Sequence, residues 1–112
     1  MLEVPGLVKR RLEVLTEGMQ AWYVVNQYHF TCWQDKDLKR QAKNILSLCN
    51  MVKVNLERSK GVCVVHCNDS VGRTGVFIGL MKLTADIDSS PENIDICQTV
   101  FDMRTCRMRM VR

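Results

Sequence analysis

The stretch that most constrains this chain is Val64-Val65-His66-Cys67-Asn68-Asp69-Ser70-Val71-Gly72-Arg73-Thr74-Gly75. In it a cysteine and an arginine are separated by five residues and flanked by apolar segments. Before it, Gly61-Val62-Cys63-Val64-Val65 is short, β-branched and opened by a glycine, the pattern of a buried strand. After it, residues 74–87 form an apolar run of helical length. A tight turn from strand to helix lets backbone N–H groups converge on one point. Such a ring, with a helix N-terminus behind it, binds anions and phosphate above all. Cys67 lies at the floor of the expected ring. The donors that hold phosphate also favour a thiolate, and a free thiol that titrates at about 8.5 drops by several units near helix N-termini or cations. Arg73 adds a planar fork that matches two phosphoryl oxygens. A thiolate facing a phosphoryl group permits covalent catalysis in two steps through a phosphocysteine.

His66-Cys67, five residues, then Arg73-Thr74-Gly75 resembles the phosphate loop of the Cys-dependent protein-tyrosine phosphatases. The bland alternative is a buried cysteine and a surface arginine meeting by chance, and flanking matches over most of the chain speak against it. The resemblance implies that Cys67 attacks phosphorus, that Asn68, Asp69, Ser70, Val71, Gly72 and Arg73 line the bound phosphate, and that His66 orients the loop through a hydrogen bond. It also suggests a hydrogen bond from Thr74 to the Cys67 sulfur, although Thr74 serves equally as an ordinary first-turn helix residue. Two positions depart from the family pattern His-Cys-Ser-Ala-Gly-Val-Gly-Arg-Thr-Gly: Asp69 replaces alanine and Ser70 replaces glycine. A carboxylate ~5 Å from a bound anion costs roughly 3 kcal/mol at an effective dielectric near 20. It opposes both the substrate dianion and the thiolate, unless its side chain points outward into water. Ser70 costs ~1 kcal/mol if the backbone there needs positive φ.

Upstream, residues 7–15 and 22–31 read as two strands joined at Thr16-Glu17-Gly18, a hairpin. Trp22, Val24, Tyr28 and Phe30 share one face of the second strand, and Tyr23, Val25, Gln27 and His29 the other. A strand rich on both faces belongs inside a sheet. His29 reads as a packed or hydrogen-bonded histidine. Asn26 to Trp33 resembles the Gln-Tyr-His-Phe-Thr-x-Trp run that precedes the family's acid loop, so Trp33-Gln34-Asp35 falls where the family carries Trp-Pro-Asp. The resemblance makes Asp35 the general acid that protonates the leaving oxygen, with Trp33 in support. Capping of the next helix by Asp35 or Asp37 is the competing reading. Gln34 replaces the proline, which frees the hinge, and Lys36-Asp37-Leu38-Lys39 replaces the family's His-Gly-Val-Pro.

Leu38, Ala42, Ile45, Cys49, Val52 and Leu56 recur at alternating steps of four and three, one face of a helix with Lys39, Arg40 and Lys43 outside. Between residues 74 and 87 apolar positions cover nearly the whole circumference, the mark of a buried central helix. Ser89-Ser90-Pro91-Glu92 supplies a cap, an early proline and an acidic first turn for a last helix. Its expected inner face is Ile94, Cys97, Val100, Phe101 and Met103. Asp95, Val100, Arg104, Arg107, Met110 and Val111 fit the family's closing pattern, with Met108 in place of a proline and Arg112 in place of the glutamine that positions hydrolytic water.

A chain of 112 residues has room for one small domain. Its 46% apolar and 25% charged content is ordinary for a soluble globular chain, and no stretch approaches the length of a membrane helix. The start shows neither the basic nor the apolar region of a signal peptide. The net charge of +4 suits an anionic substrate and is too scattered to indicate nucleic acid. Six cysteines without CxxC or metal-finger spacing point to core thiols in a reducing compartment. Cys63, His66 and Cys67 suggest zinc ligands only superficially: strand alternation turns His66 away from Cys63, and a fourth ligand is lacking. We therefore expect no metal and no cofactor.

The expected fold class is α/β, a mixed, strongly twisted sheet with helices on both faces. Residues 1–112 are expected to be a partial protein-tyrosine phosphatase domain, its C-terminal half, without the upstream half or the end of the domain. The resemblance implies hydrolysis of phosphotyrosine in proteins or peptides, in the cytoplasm or the cytoplasmic part of a larger receptor. Two rival readings stand beside it. One is a pseudophosphatase that binds phosphoproteins or partner domains, to which Asp69, Gln34 and Arg112 point. The other is a truncated chain whose half-sheet leaves edges and apolar surface exposed.

Overall fold

The computed structural model describes residues 4–18, 20–33 and 38–111, with the backbone alone described at position 38. Two strands, β1 (Leu7–Leu15) and β2 (Trp22–Phe30), pair antiparallel in unbroken register from Leu7 opposite Phe30 to Leu15 opposite Trp22. The turn between them includes Gly18 at φ +84°, a left-handed conformation that glycine adopts without steric cost. β2 stops one residue short of the expected end, because the Thr31 N–H and hydroxyl both donate to the Gly6 carbonyl at 2.8 Å.

The chain is α/β, and the mixed sheet expected from the sequence is represented among the described residues by this antiparallel hairpin. One face meets the helices near the open end of the hairpin, where Leu7, Tyr28 and Phe30 pack on the helical core. The opposite face is polar there: Arg10 Nη1 donates to Gln27 Oε1 at 3.0 Å and lies 3.3 Å from His29 Nδ1. β2 was expected inside a sheet, but its sole strand neighbour among the described residues is β1. Trp22, Tyr23, Val24 and Val25 are accordingly exposed.

Helix α1 (Leu38–Ser59) carries the core. Ile45, Cys49 and Val52 of the expected stripe are buried, joined by Leu48 and by Phe77 from the next helix. Burying side chains of this size contributes about 1.5–3 kcal/mol each. Asn55 on the same helix donates to the Tyr28 hydroxyl at 2.6 Å and ties the hairpin to it.

Residues 61–65 were expected to form a buried strand and do not. The segment has no regular structure and joins no strand among the described residues, and Val62 and Val64 are 93% and 83% exposed. Apolar β-branched sequence favours an extended backbone, while a strand also needs a neighbour to take its N–H and C=O groups. Val65 alone turns inward against the core cluster.

Helix α2 (Arg73–Ser89) follows, with Thr74, Gly75, Phe77 and Gly79 buried. Burial all round was expected, yet Ile78 and Ile87 are exposed. The helix packs on α1 and on helix α3 (Ile96–Cys106), and no described strand covers its remaining surface. The proline that was expected to open the last helix instead opens a single 3-10 turn, Pro91–Asn93. The cap of α3 is Asp95, whose Oδ1 accepts from Gln98 N at 2.9 Å; Ser90 makes no side-chain cap. The inner face of α3 also differs from expectation. Thr99 is buried and Val100 and Met103 half-buried, while Cys97 and Phe101 are exposed, because packing on Gly79 of α2 through Met103 sets the helix rotation.

All six cysteines are free, and only Cys49 is buried. The expected set of core thiols reduces to that one, whose pKa burial pushes up to about 11. No helix among the described residues is long and apolar enough to cross a membrane. The radius of gyration is 15.5 Å, against about 13 Å for a compact domain of this length. The excess reflects a hairpin that touches the helices at one end only.

Candidate active site

The segment 61–67 delivers Cys67 to the N-terminal end of α2, and residues 68–72 bend between them. Ser70 takes φ +57°, a left-handed conformation that costs an L-residue about 1–2 kcal/mol. α2 opens with Gly75 N–H donating to Val71 O at 3.2 Å and Val76 N–H to Gly72 O at 3.0 Å. The C-terminal segment clamps the far side of the loop. Val111 N–H also donates to Val71 O, at 3.0 Å, and Arg104 holds the Met110 and Val111 carbonyls through Nε and Nη2 at 2.9 and 3.1 Å. This approach needs a glycine at position 75, where a Cβ would stand 2.5 Å from the Val111 nitrogen.

Asp69 is exposed as a residue, yet its carboxylate bonds to the loop itself. Its Oδ1 accepts from Val71 N–H at 3.0 Å, from Gly72 N–H at 3.1 Å and from the Cys67 thiol at 3.4 Å. The favourable field of a helix N-terminus and two oriented amides accounts for the position of a carboxylate there. Its backbone is held from another element, since Arg107 Nη2 donates to Asp69 O at 3.3 Å.

Cys67 is half-buried. Burial acts to raise its pKa, but hydrogen bonding from the Thr74 hydroxyl, the Thr74 backbone and the Ser70 backbone outweighs that. The net value falls below the ordinary thiol value, with Asp69 acting in the opposite sense. Thr74 Oγ1 is buried and makes no hydrogen bond of ordinary length to another described residue. A depressed thiol is a stronger candidate nucleophile at neutral pH than an ordinary one.

Arg73 is half-buried and donates from Nη1 to the Trp33 carbonyl at 2.9 Å. The contact joins the loop to the segment that leads toward Asp35, and it uses the backbone of Trp33; the indole packs on the core cluster. The loop thus links Cys67, Asp69, Val71 and Gly72 by hydrogen bonds, with Thr74 and the Ser70 backbone acting on the thiol, while the Arg73 guanidinium reaches the Trp33 carbonyl. Asn68 is exposed. His66 is exposed as well and makes no hydrogen bond to another described residue, so the orienting bond expected of it is not made. Asp35, Gln34 and Arg112 lie outside the described residues. Cys63, His66 and Cys67 are not gathered as metal ligands, nor is any other trio of His, Cys, Asp or Glu among the described residues.

Sequence reasoning fitted Arg104 and Arg107 to a pattern without giving either a place at the site. Their signal was two arginines three positions apart at the end of the last helix. Both reach backbone carbonyls, to which a guanidinium is well suited.

The family model for protein-tyrosine phosphatase matches residues 4–112. The chain is 31% identical to receptor-type tyrosine-protein phosphatase V of Rattus norvegicus over 90 residues, 79% of this chain and 5% of that protein. It is 33% identical to receptor-type tyrosine-protein phosphatase epsilon of Rattus norvegicus over 98 residues, 88% of this chain and 14% of the relative, and equally so to the Mus musculus protein. The chain therefore spans only a small part of the relatives it matches. A match along nearly the whole chain, with a thiol and an arginine at the mouth of a helix, places this chain in the protein-tyrosine phosphatase family.

Proposed function

We propose that this chain carries the nucleophile-bearing part of a phosphotyrosine phosphatase domain and acts on phosphotyrosine in proteins or peptides. The observation that carries the reading is the placement of the Cys67 thiol at the N-terminal end of α2, where loop amides converge. The Cys67 thiolate attacks phosphorus, and the bond to the tyrosyl oxygen breaks. Asp35 delivers a proton to that oxygen, and Arg73 binds the equatorial phosphoryl oxygens. Water then attacks the phosphocysteine, releasing phosphate and the thiolate. The receptor-type relatives support a place in the cytoplasmic part of a larger receptor.

Asp69 favours a second reading of the same site. A carboxylate bonded to Val71 N, Gly72 N and the Cys67 thiol suits a catalytically impaired member that acts as a phosphoprotein-binding or regulatory module. Hydrolysis of an aryl phosphate by the purified chain separates the two. The enzyme reading requires turnover that Cys67→Ser abolishes, since a hydroxyl is a far poorer nucleophile near neutral pH. Binding of a phosphotyrosyl peptide without turnover gives the second reading. Turnover retained in Cys67→Ser contradicts both.

A further inference from the structure

We propose that Asp69 is a built-in carboxylate ligand of the loop, so that a phosphoryl anion gains the loop amides only by displacing it. This rests on the reading of residues 67–73 as a phosphate site given above. One oxygen, Asp69 Oδ1, collects three donors: Val71 N–H at 3.0 Å, Gly72 N–H at 3.1 Å and the Cys67 thiol at 3.4 Å. A phosphoryl oxygen facing Cys67 needs the same amides. The carboxylate is held in place by its backbone. Ser70, at φ +57°, reverses the chain immediately after it, and Arg107 holds the Asp69 carbonyl at 3.3 Å. In the first turn of α2, Thr74 Oγ1 is buried, 4% exposed at the residue, with no hydrogen-bond partner among the described residues. A polar group of this kind next to Cys67 marks a place that still holds donor capacity for a ligand or a thiolate.

The plain alternative is that Asp69 merely ties the turn and has no bearing on ligands. Two substitutions distinguish them. Asp69→Ala removes both the charge and the acceptor, whereas Asp69→Asn removes the charge and keeps an oxygen for the amides. The readout is alkylation of Cys67 by iodoacetamide, followed on the Cys67 peptide by mass spectrometry, in the full chain with increasing inorganic phosphate. The phosphate concentration that halves the rate is compared within each variant, so changes in intrinsic thiol reactivity cancel.

We expect that concentration to fall by about tenfold or more in Asp69→Ala, the scale of a carboxylate within ~5 Å of a bound anion. Asp69→Asn should lie between Asp69→Ala and the parent chain, and Arg73→Ala added to Asp69→Ala should abolish protection. If Asp69→Ala fails to fold by circular dichroism, Asp69→Asn carries the test, with any fall in the half-protecting concentration supporting displacement. Equal protection in the parent chain and the folded variants overturns the internal ligand while leaving the phosphate loop standing. Absence of protection even in Asp69→Ala overturns the loop reading and the internal ligand together.

Discussion

At the scale of single residues, two thiols in one small chain are driven in opposite directions. Burial pushes Cys49 up to about 11, while hydrogen bonding from Thr74 and the Ser70 backbone overcomes burial and brings Cys67 below the ordinary value. The sign for reactivity follows directly. A lowered pKa means that the thiolate is present at lower pH, so alkylation of Cys67 should reach half its maximal rate at a lower pH than an ordinary thiol does. Cys49 should stay unreacted throughout that range. Thr74→Ala removes the leading contribution that lowers the value and should move the Cys67 midpoint upward; Asp69→Ala removes an opposing one and should move it downward. Peptide-resolved alkylation rates against pH give all of these shifts. A Cys67 midpoint at or above the ordinary value contradicts the assignment of Thr74 as a donor to the sulfur.

At the scale of elements, the site depends on how closely the C-terminal segment approaches α2. Val111 N–H bonds to Val71 O, and Gly75 lacks the Cβ that would meet the Val111 nitrogen at 2.5 Å. That neighbour is backbone and cannot rotate away. Gly75→Ala should therefore destabilise the chain by about 1–3 kcal/mol, the range for overpacking a close contact, as read by urea denaturation. It should also speed alkylation of the loop thiol by loosening the clamp.

The same scale shows what sequence pattern conveys. The hairpin, the long helix and the helix after the loop were all legible: β1 and β2 are β-branched and aromatic runs flanking Thr16-Glu17-Gly18, and Ile45, Cys49 and Val52 repeat at helical steps. Cys67, Arg73 and Thr74 stood out by their spacing, and the structure sets Cys67 just before α2 and Arg73 and Thr74 in its first turn. What failed depended on neighbours. Val62 and Val64 look like strand residues, but no described strand pairs with them, and Ile78 and Ile87 look like core without a layer to cover them. The α3 cap was misplaced because Pro91 starts a 3-10 turn as readily as a helix. Asp69 was weighed only as a charge inside or outside the ring. That it would also serve as an acceptor for Val71 N and Gly72 N depends on the bend at Ser70, which no pattern encodes.

At the scale of the whole molecule, apolar surface remains open along β2, the segment 61–65 and the outer side of α2. Exposed unpaired strand backbone beside apolar side chains is a template for association. The chain alone should bind a hydrophobic dye in its native state, associate as concentration rises, and show stability below the range of about 5–15 kcal/mol usual for domains. Sedimentation and denaturant unfolding check this together. A monomeric chain with a sharp transition within that range contradicts it. The central claim, that Cys67 is the nucleophile of a phosphate-binding loop, is tested most directly by trapping the covalent step. The full chain is mixed with a phosphotyrosyl peptide, quenched in acid and mapped by mass spectrometry. The account predicts phosphate on the Cys67 peptide, more of it in Asp69→Ala, and none in Cys67→Ser or Arg73→Ala. Phosphate on another residue, or none in Asp69→Ala despite demonstrated peptide binding, would contradict it.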